Sequence, residues 1–408
     1  MKNYSETEGE RRPLSPARAR LRSEAMAEPG GGEGEALRDH PVLGGTVGVQ
    51  FGEFAPKTSL QDRFTGVLLG TAVGDALGLP SENLSATRIR ERWRGRWKMR
   101  FFFGHGMMSD DTEHTLRVAQ SLLAHSENVR AFQQCLAWKF RWWFVGLPGG
   151  IGLATAKACL KLWVGFPPGE SGVWSGGSGP AMRSAIIGAC FARDSGKRRE
   201  FVLASSRLTH RGWQAETAAQ AVVESVALTI QNDGQPDYTT VLAALLPLSQ
   251  ELEWKNLIQA IERGLRTEQT VSAFAQALGL KQAVTGYALH VVPVALYSWL
   301  RHPGDFRQAL ISVLECGGDT DTTGAILGAL AGANCGKAGI PTEWLEAIWE
   351  WPRSNSVLEK IASRLAEQNR TGKSGGPVTY FWPALLVRNL LFVMIVLTHG
   401  FRRLFPPY

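Results

Sequence analysis

At 408 residues and 44% apolar content, the chain can bury a large core in one or two domains. Five scattered cysteines (Cys135, Cys159, Cys190, Cys316, Cys335) with no C-x-x-C pair argue against a disulfide framework, and none lies at zinc spacing from a histidine. The formal charge of +7 invites a nucleic-acid reading, but much of it is packed into 88–100 without a recognised binding module, so nucleic acid is not the expected partner.

Residues 1–57 are rich in Glu, Arg, Gly, Pro and Ala and poor in large apolar residues, which predicts a disordered tail. Residues 1–40 hold no apolar stretch of the signal-peptide kind, so a cytoplasmic location is expected. From 58 to 368 the pattern is mainly helical. Candidate helices cover 60–78, 111–124, 130–144, 151–163, 180–193, 198–208 and 214–231. Further candidates cover 238–247, 255–266, 270–278, 287–301, 304–315, 322–334 and 341–366. Strand signals are sparse, and an all-α domain is the expectation.

Between the first two helices, Arg88, Arg90, Arg92, Arg94, Arg96, Lys98 and Arg100 alternate with Ile89, Trp93, Trp97 and Met99. If extended, this stretch has one basic and one partly apolar face. It suits a solvated edge strand or hairpin, a flap that attracts an anionic substrate, or a patch for an anionic membrane.

Two helices carry glycine rows: Gly66, Gly70, Gly74 and Gly78, then Gly324, Gly328, Gly332 and Gly336. Spacing of four keeps each row on one helical stripe. Each internal glycine costs about 1 kcal/mol relative to alanine, so a row of them implies close backbone approach. If the two stripes meet at the centre of the bundle, Asp75 and Glu82 come near Asp319 and Asp321.

After a Gly/Ser/Lys linker at 369–376, residues 377–408 are apolar with basic and aromatic flanks. The uniformly apolar run Leu390–Leu397 is far shorter than the ~20 residues a bilayer span needs, and extending it takes in Arg388 and Asn389. An amphipathic helix that lies on a membrane surface or docks a partner is preferred to a span; a helix packed on the main domain is the alternative.

Chemistry is concentrated in Ser109-Asp110-Asp111-Thr112 and Gly317-Gly318-Asp319-Thr320-Asp321-Thr322. Their carboxylate and hydroxyl oxygens are hard ligands suited to Mg²⁺, Mn²⁺ or Ca²⁺. The first cluster alone reads equally as a capped helix start. In the second, neighbouring Asp side chains repel unless they share a cation or a proton.

These motifs, in this order, resemble the ADP-ribosylglycohydrolase family. Gly66 to Glu82 resembles its opening motif and Ser109-Asp110-Asp111-Thr112 its first metal motif, usually Thr-Asp-Asp-Thr. Gly150-Ile151-Gly152 with Thr155 is similar to its mid-chain loop. Ser178-Gly179-Pro180-Ala181-Met182-Arg183 resembles its Asn-Gly-x-x-Met-Arg substrate loop, and Thr209-His210 its Thr-His pair. Gly317 to Thr322, with Ala325-Ile326 and Gly328-Ala329, resembles its second metal motif.

The resemblance covers about 60–366. It implies an orthogonal helical bundle with a central cleft for two Mg²⁺ or Mn²⁺ ions. It makes Ser109, Asp110, Asp111, Asp319, Asp321 and Thr322 the ligand candidates, with Glu82 and Asp111 the catalytic ones. It places Gly176, Gly177, Ser178 and Gly179 against the phosphates or distal ribose, and His210 on the adenosine side. Met182 and Arg183 would support the loop. Ser109 keeps the hydroxyl of the usual Thr, whereas Ser178 loses an amide and puts substrate preference in question.

The implied activity is metal-dependent hydrolysis of the glycosidic bond between ADP-ribose and a protein side chain or small molecule. Its rivals are a non-catalytic ADP-ribose-binding module and a hydrolase of another phosphorylated ribose compound.

Overall fold

The glycine rows meet, and the rest of the fold is arranged around that contact. A computed structural model describes residues 58–402; the expected 1–57 tail lies outside them, as does 403–408. The helices are α1 (Leu60–Gly78), α2 (Ala86–Trp93), α3 (Asp110–Ala124), α4 (Val129–Val145), α5 (Leu153–Trp163) and α6 (Gly179–Met182). They continue as α7 (Ala185–Cys190), α8 (Ser195–Arg207), α9 (Trp213–Gln231), α10 (Tyr238–Leu245), α11 (Leu252–Arg266) and α12 (Val271–Ala277). The last are α13 (Ala288–Arg301), α14 (Phe306–Leu314), α15 (Thr320–Cys335), α16 (Thr342–Glu346), α17 (Asn355–Thr371) and α18 (Ala384–Arg402). The only strands among the described residues are β1 (Leu84–Ser85) and β2 (Gly317–Gly318), so the domain is all-α.

Helices α1 and α15 form the central pair, flanked by α3, α9, α13, α14 and α17. A Cβ built on Gly70 would lie 2.1 Å from the Gly328 carbonyl oxygen, and one on Gly74 1.9 Å from that of Gly324. Only glycine allows the two backbones this close. Ser59 caps α1, its hydroxyl accepting the Asp62 N–H at 3.1 Å.

Antiparallel β1 and β2 pair Leu84 with Gly318 and Ser85 with Gly317. The segment around Val284 joins them: its N–H donates to Gly317 O at 3.0 Å, and its carbonyl accepts the Asp319 N–H at 2.8 Å. Gly318 has φ +85°, and a Cβ there would meet Val284 O at 1.9 Å. The Glu82 loop and the Asp319 loop are thereby stitched together at the ends of the central pair.

Three expectations need correction. The alternating basic stretch is not extended throughout, because its first half is α2. Ser85 caps it, and Ala86, Ile89 and Trp93 fall on one buried helical face. Only beyond Gly95 does alternation hold, with Trp97 and Met99 buried and Arg96 and Lys98 exposed. The single helix expected over 180–193 is broken at Arg183–Ser184 into α6 and α7. The one expected over 341–366 is interrupted between α16 and α17, where Pro352 removes a helical donor.

After α17 the chain runs back along α3, with Val378 exchanging backbone hydrogen bonds of 2.8 Å with the Gln120 amide. Helix α18 then packs on the body through Arg388, Asn389, Phe392 and Ile395. Its Arg388 enters a buried charge network with Glu113, Glu350 and Arg353. Burial pushes the Glu113 carboxyl up, but the guanidiniums of Arg353, Arg117 and Arg388 outweigh it and hold the group at about 2. All five cysteines are free thiols.

Candidate active site

Asp75, in the last turn of α1, is fully buried. Its carboxylate accepts the Ser109 N–H at 2.9 Å, the Thr112 N–H at 3.2 Å and the Thr112 hydroxyl. It thus pins the start of α3 to the end of α1. The Ser109 hydroxyl accepts the Asp111 N–H at 3.3 Å while donating to Asp111 Oδ2 at 3.1 Å. The serine therefore serves as the helix cap, as its sequence context suggested.

The two acidic clusters come together here. The Thr322 hydroxyl donates to Asp111 Oδ2 at 3.4 Å. Asp319 is buried near Asp321, Thr322 and Ser178. Asp321 feels the charges of Glu82, Asp319, Asp111 and Asp75. Asp110 feels those of Asp75, Glu113 and Glu82, and its Oδ1 faces Gly150 of the loop before α5. Glu82 is half-buried at the rim, with Asn83 Nδ2 donating to its Oε1 at 3.2 Å.

Burial, reinforced by these like charges, raises Asp110, Asp111 and Asp321 well above the ordinary carboxylate range; burial also raises Asp319. Asp75 is pushed up to about 6 by burial, against the pull of its hydrogen bonds. Asp111 Oδ1 and Asp321 Oδ1 are buried with no hydrogen-bond partner. Orphaned anionic oxygens from two distant motifs, facing a shared excess of negative charge, fit a hard divalent cation. Among the described residues, no three Asp, Glu, His or Cys side chains form a ready-made cation cage, so the fit rests on those oxygens and on donor chemistry.

The second wall is the loop 176–179. The carbonyl of Gly176 accepts the Ala288 N–H at 2.8 Å, and the Ser178 N–H donates to Gly286 O at 3.0 Å. A Cβ on Gly177 would sit 3.0 Å from His210 Nε2, and one on Gly179 2.9 Å from His210 Cε1. The His210 ring therefore lies against the loop, 4% exposed, with Nδ1 2.9 Å from the Thr209 hydroxyl. Burial and then the Arg183 charge lower its pKa to about 3, so it is neutral. Arg183 is itself buried and donates to Gly179 O at 3.1 Å, Ser205 O at 2.8 Å and Thr209 Oγ1 at 2.7 Å. Met182 offers its carbonyl to the Thr115 hydroxyl at 3.1 Å. Both support the loop.

One segment escaped the sequence reading. Val284–Tyr287 touches both walls: Val284 pairs with Gly318, Gly286 holds Ser178, and a Cβ on Gly286 would lie 3.2 Å from Asp319 Oδ2. Gly286 between two predicted helices was the available signal.

Comparison with known proteins bears on the family and the fold. The family model described as ADP-ribosylglycohydrolase matches residues 56–374. An uncharacterized protein of Archaeoglobus fulgidus is 30% identical over 76% of this chain and 97% of its own length. ADP-ribosylhydrolase ARH3 of Gallus gallus is 26% identical over 75% of this chain and 94% of its own. A solved ADP-ribosylglycohydrolase-related protein complex superposes with TM-score 0.57 and 26% identity, over 76% of this chain and 99% of that one. The match extends from the start of α1 through the linker after α17, and on that ground the chain belongs to the ADP-ribosylglycohydrolase family.

Proposed function

We propose that this hydrolase splits the glycosidic bond between ADP-ribose and an acceptor, a protein side chain or a small molecule, with two Mg²⁺ or Mn²⁺ ions. The observation that carries the reading is the pair of orphaned, buried oxygens on Asp111 and Asp321, contributed by motifs about two hundred residues apart. Ser109, Asp110, Asp111, Asp319, Asp321 and Thr322 would hold the metals. Bound there, the ions would grip a ribose diol and lower the pKa of a water.

The chain's own groups then divide the work. Water adds to the anomeric carbon as the bond to the acceptor breaks, through an oxocarbenium-like state. Glu82, at the rim near Asp110 and Asp321, takes the proton of that water and passes it to the departing acceptor, or orients the water so that the proton ends there, leaving the water's hydroxyl on the ribose. Gly176, Gly177 and Gly179 give the loop close access to phosphate or distal ribose. Ser178 lies near Asp319 and is tied by its N–H to Gly286, so it links the loop to the acids. His210 acts through the loop it supports.

ADP-ribosyl-arginine and ADP-ribosyl-serine peptides, incubated with Mg²⁺ or Mn²⁺, test the reading. Release of free ADP-ribose is expected from at least one. Tight binding of ADP-ribose with no release from either would leave a binding module.

A peripheral membrane location is proposed for the tail. The outer face of α18 exposes Val387, Leu390, Met394, Leu397 and Phe401. It adjoins a cleft of about 1350 Å³ lined by Trp138, Trp142, Tyr380, Trp382 and Leu386. Aromatic and apolar groups beside exposed Arg402 suit an interfacial helix. The 19-residue helix is long and apolar enough to cross a membrane by composition, but its buried Arg388 face favours lying on one. The full chain should co-sediment with phosphatidylserine vesicles and Met394→Glu should not; equal behaviour of the two would sink the idea.

A further inference from the structure

We propose that α18, which lies beyond the family match, is a strut of the active site, and that Arg388 is its positioning residue for the Ser109–Asp111 ligand turn.

Arg388 and its partner Glu350 together hold Met108 from both sides. One nitrogen of its guanidinium donates to the Met108 carbonyl and, at 2.7 Å, to Glu350 Oε2. That same Glu350 oxygen accepts the Met108 N–H at 3.2 Å. The peptide units flanking Met108 are thus fixed immediately before Ser109, whose own N–H goes to Asp75. A second guanidinium nitrogen reaches Glu113 Oε1 at 3.4 Å, one turn into α3 and beyond Asp111. Arg388 therefore grips the chain before and after the ligand turn.

The next residues of α18 hold the facing loop. Asn389 Nδ2 donates to Gly146 O at 2.7 Å. The Phe392 ring lies 2.5 Å from where a Gly149 Cβ would stand. The following residue, Gly150 with φ +83°, abuts Asp110 Oδ1. His399 Nε2 contacts Phe101 O at 2.8 Å, further back on the segment that leads to Met108. One face of α18 thus braces 101–108 and 146–150, which converge on Asp110, while its other face is apolar and exposed.

A buried arginine could merely stabilise the fold, so the test needs a local readout. Amide hydrogen exchange is measured on the full chain in EDTA, comparing wild type, Arg388→Gln and Arg388→Lys. The Lys variant keeps a positive charge beside Glu113 and Glu350 and guards against loss of folding. The amides of Met108 and Ser109 should exchange at least about tenfold faster in both variants, with α1 and α15 unchanged. Mn²⁺ affinity should fall about tenfold, the scale on which outer partners tune a metal site. Wild-type exchange at Met108 and Ser109, or equal loss of protection across α1 and α15, would overturn the strut. The Mn²⁺ arm rests on the proposed function; if wild type neither binds Mn²⁺ nor releases ADP-ribose, that reading fails, and the exchange result still decides the strut.

Discussion

Replacing Asp111 with asparagine should lower ADP-ribose release at least about 100-fold, more than loss of an outer metal partner usually costs. In EDTA the same variant should be the more stable protein. Asp111 is buried, faces the charges of Asp110, Asp75 and Asp319, and leaves Oδ1 unpartnered. Its carboxyl therefore stays protonated to higher pH in the folded chain than in the unfolded one. Such a group loses folding stability as pH rises from the ordinary carboxylate range, near 4, through its folded value. Asparagine is not subject to that loss. The variant should therefore be the more stable of the two at pH 7.5. The gain should vanish near pH 4, where wild-type Asp111 is protonated in the folded state. Urea unfolding at both pH values reads this directly. A variant less stable than wild type at pH 7.5 would mean that the Ser109 and Thr322 hydroxyls on Asp111 Oδ2 outweigh burial and the neighbouring charges, and would overturn the prediction.

Gly70→Ala should be among the most damaging small substitutions in the core. Alanine is the better helix former by about 1 kcal/mol, so on an isolated helix it would stabilise. Here its methyl would stand 2.1 Å from the Gly328 carbonyl oxygen and 2.8 Å from the carbon behind it. No rotamer relieves a Cβ, and the obstacle is backbone, so α1 and α15 must separate. Overpacking usually costs 1–3 kcal/mol, and a clash with backbone belongs at or beyond the top of that range, roughly 3 kcal/mol. Gly400→Ala, in α18 with open space around it, is the control and should be neutral or slightly stabilising. Denaturant midpoints at constant slope give both values. A Gly70→Ala protein within about 0.5 kcal/mol of wild type would show that the stripes do not set the spacing of the central pair.

The parts of the fold that could be read from sequence are those fixed locally. Helix α1 was legible from end to end because Ser59 caps it and its glycine row has a fixed period. The two Asp motifs were legible because turn glycines, acids and hydroxyls are adjacent in the chain. Their meeting was inferable from the matching glycine rows, since two backbones can approach only where both lack side chains. The α2 helix was masked by alternating arginines: the period of two concerns charge, while burial follows Ile89 and Trp93, four apart. The Val284–Tyr287 segment acts through backbone hydrogen bonds, which leave little trace in side-chain pattern. The network of Glu113, Glu350, Arg353 and Arg388 was hidden for another reason. Its members are spread across up to 275 residues, and each alone looks like a surface charge. For the same reason α18 reads from sequence as an apolar tail, although one face of it reaches the ligand turn.

In the proposed function, the two acidic motifs form one metal-dependent site acting on ADP-ribose. Its most direct test is release of ADP-ribose from an ADP-ribosyl peptide by EDTA-treated enzyme, titrated back with Mn²⁺. No release is expected after chelation, with recovery on Mn²⁺ in wild type and none in either Asp111→Asn or Asp321→Ala. Full release in EDTA, or Mn²⁺ recovery that survives loss of one motif but not the other, would contradict it.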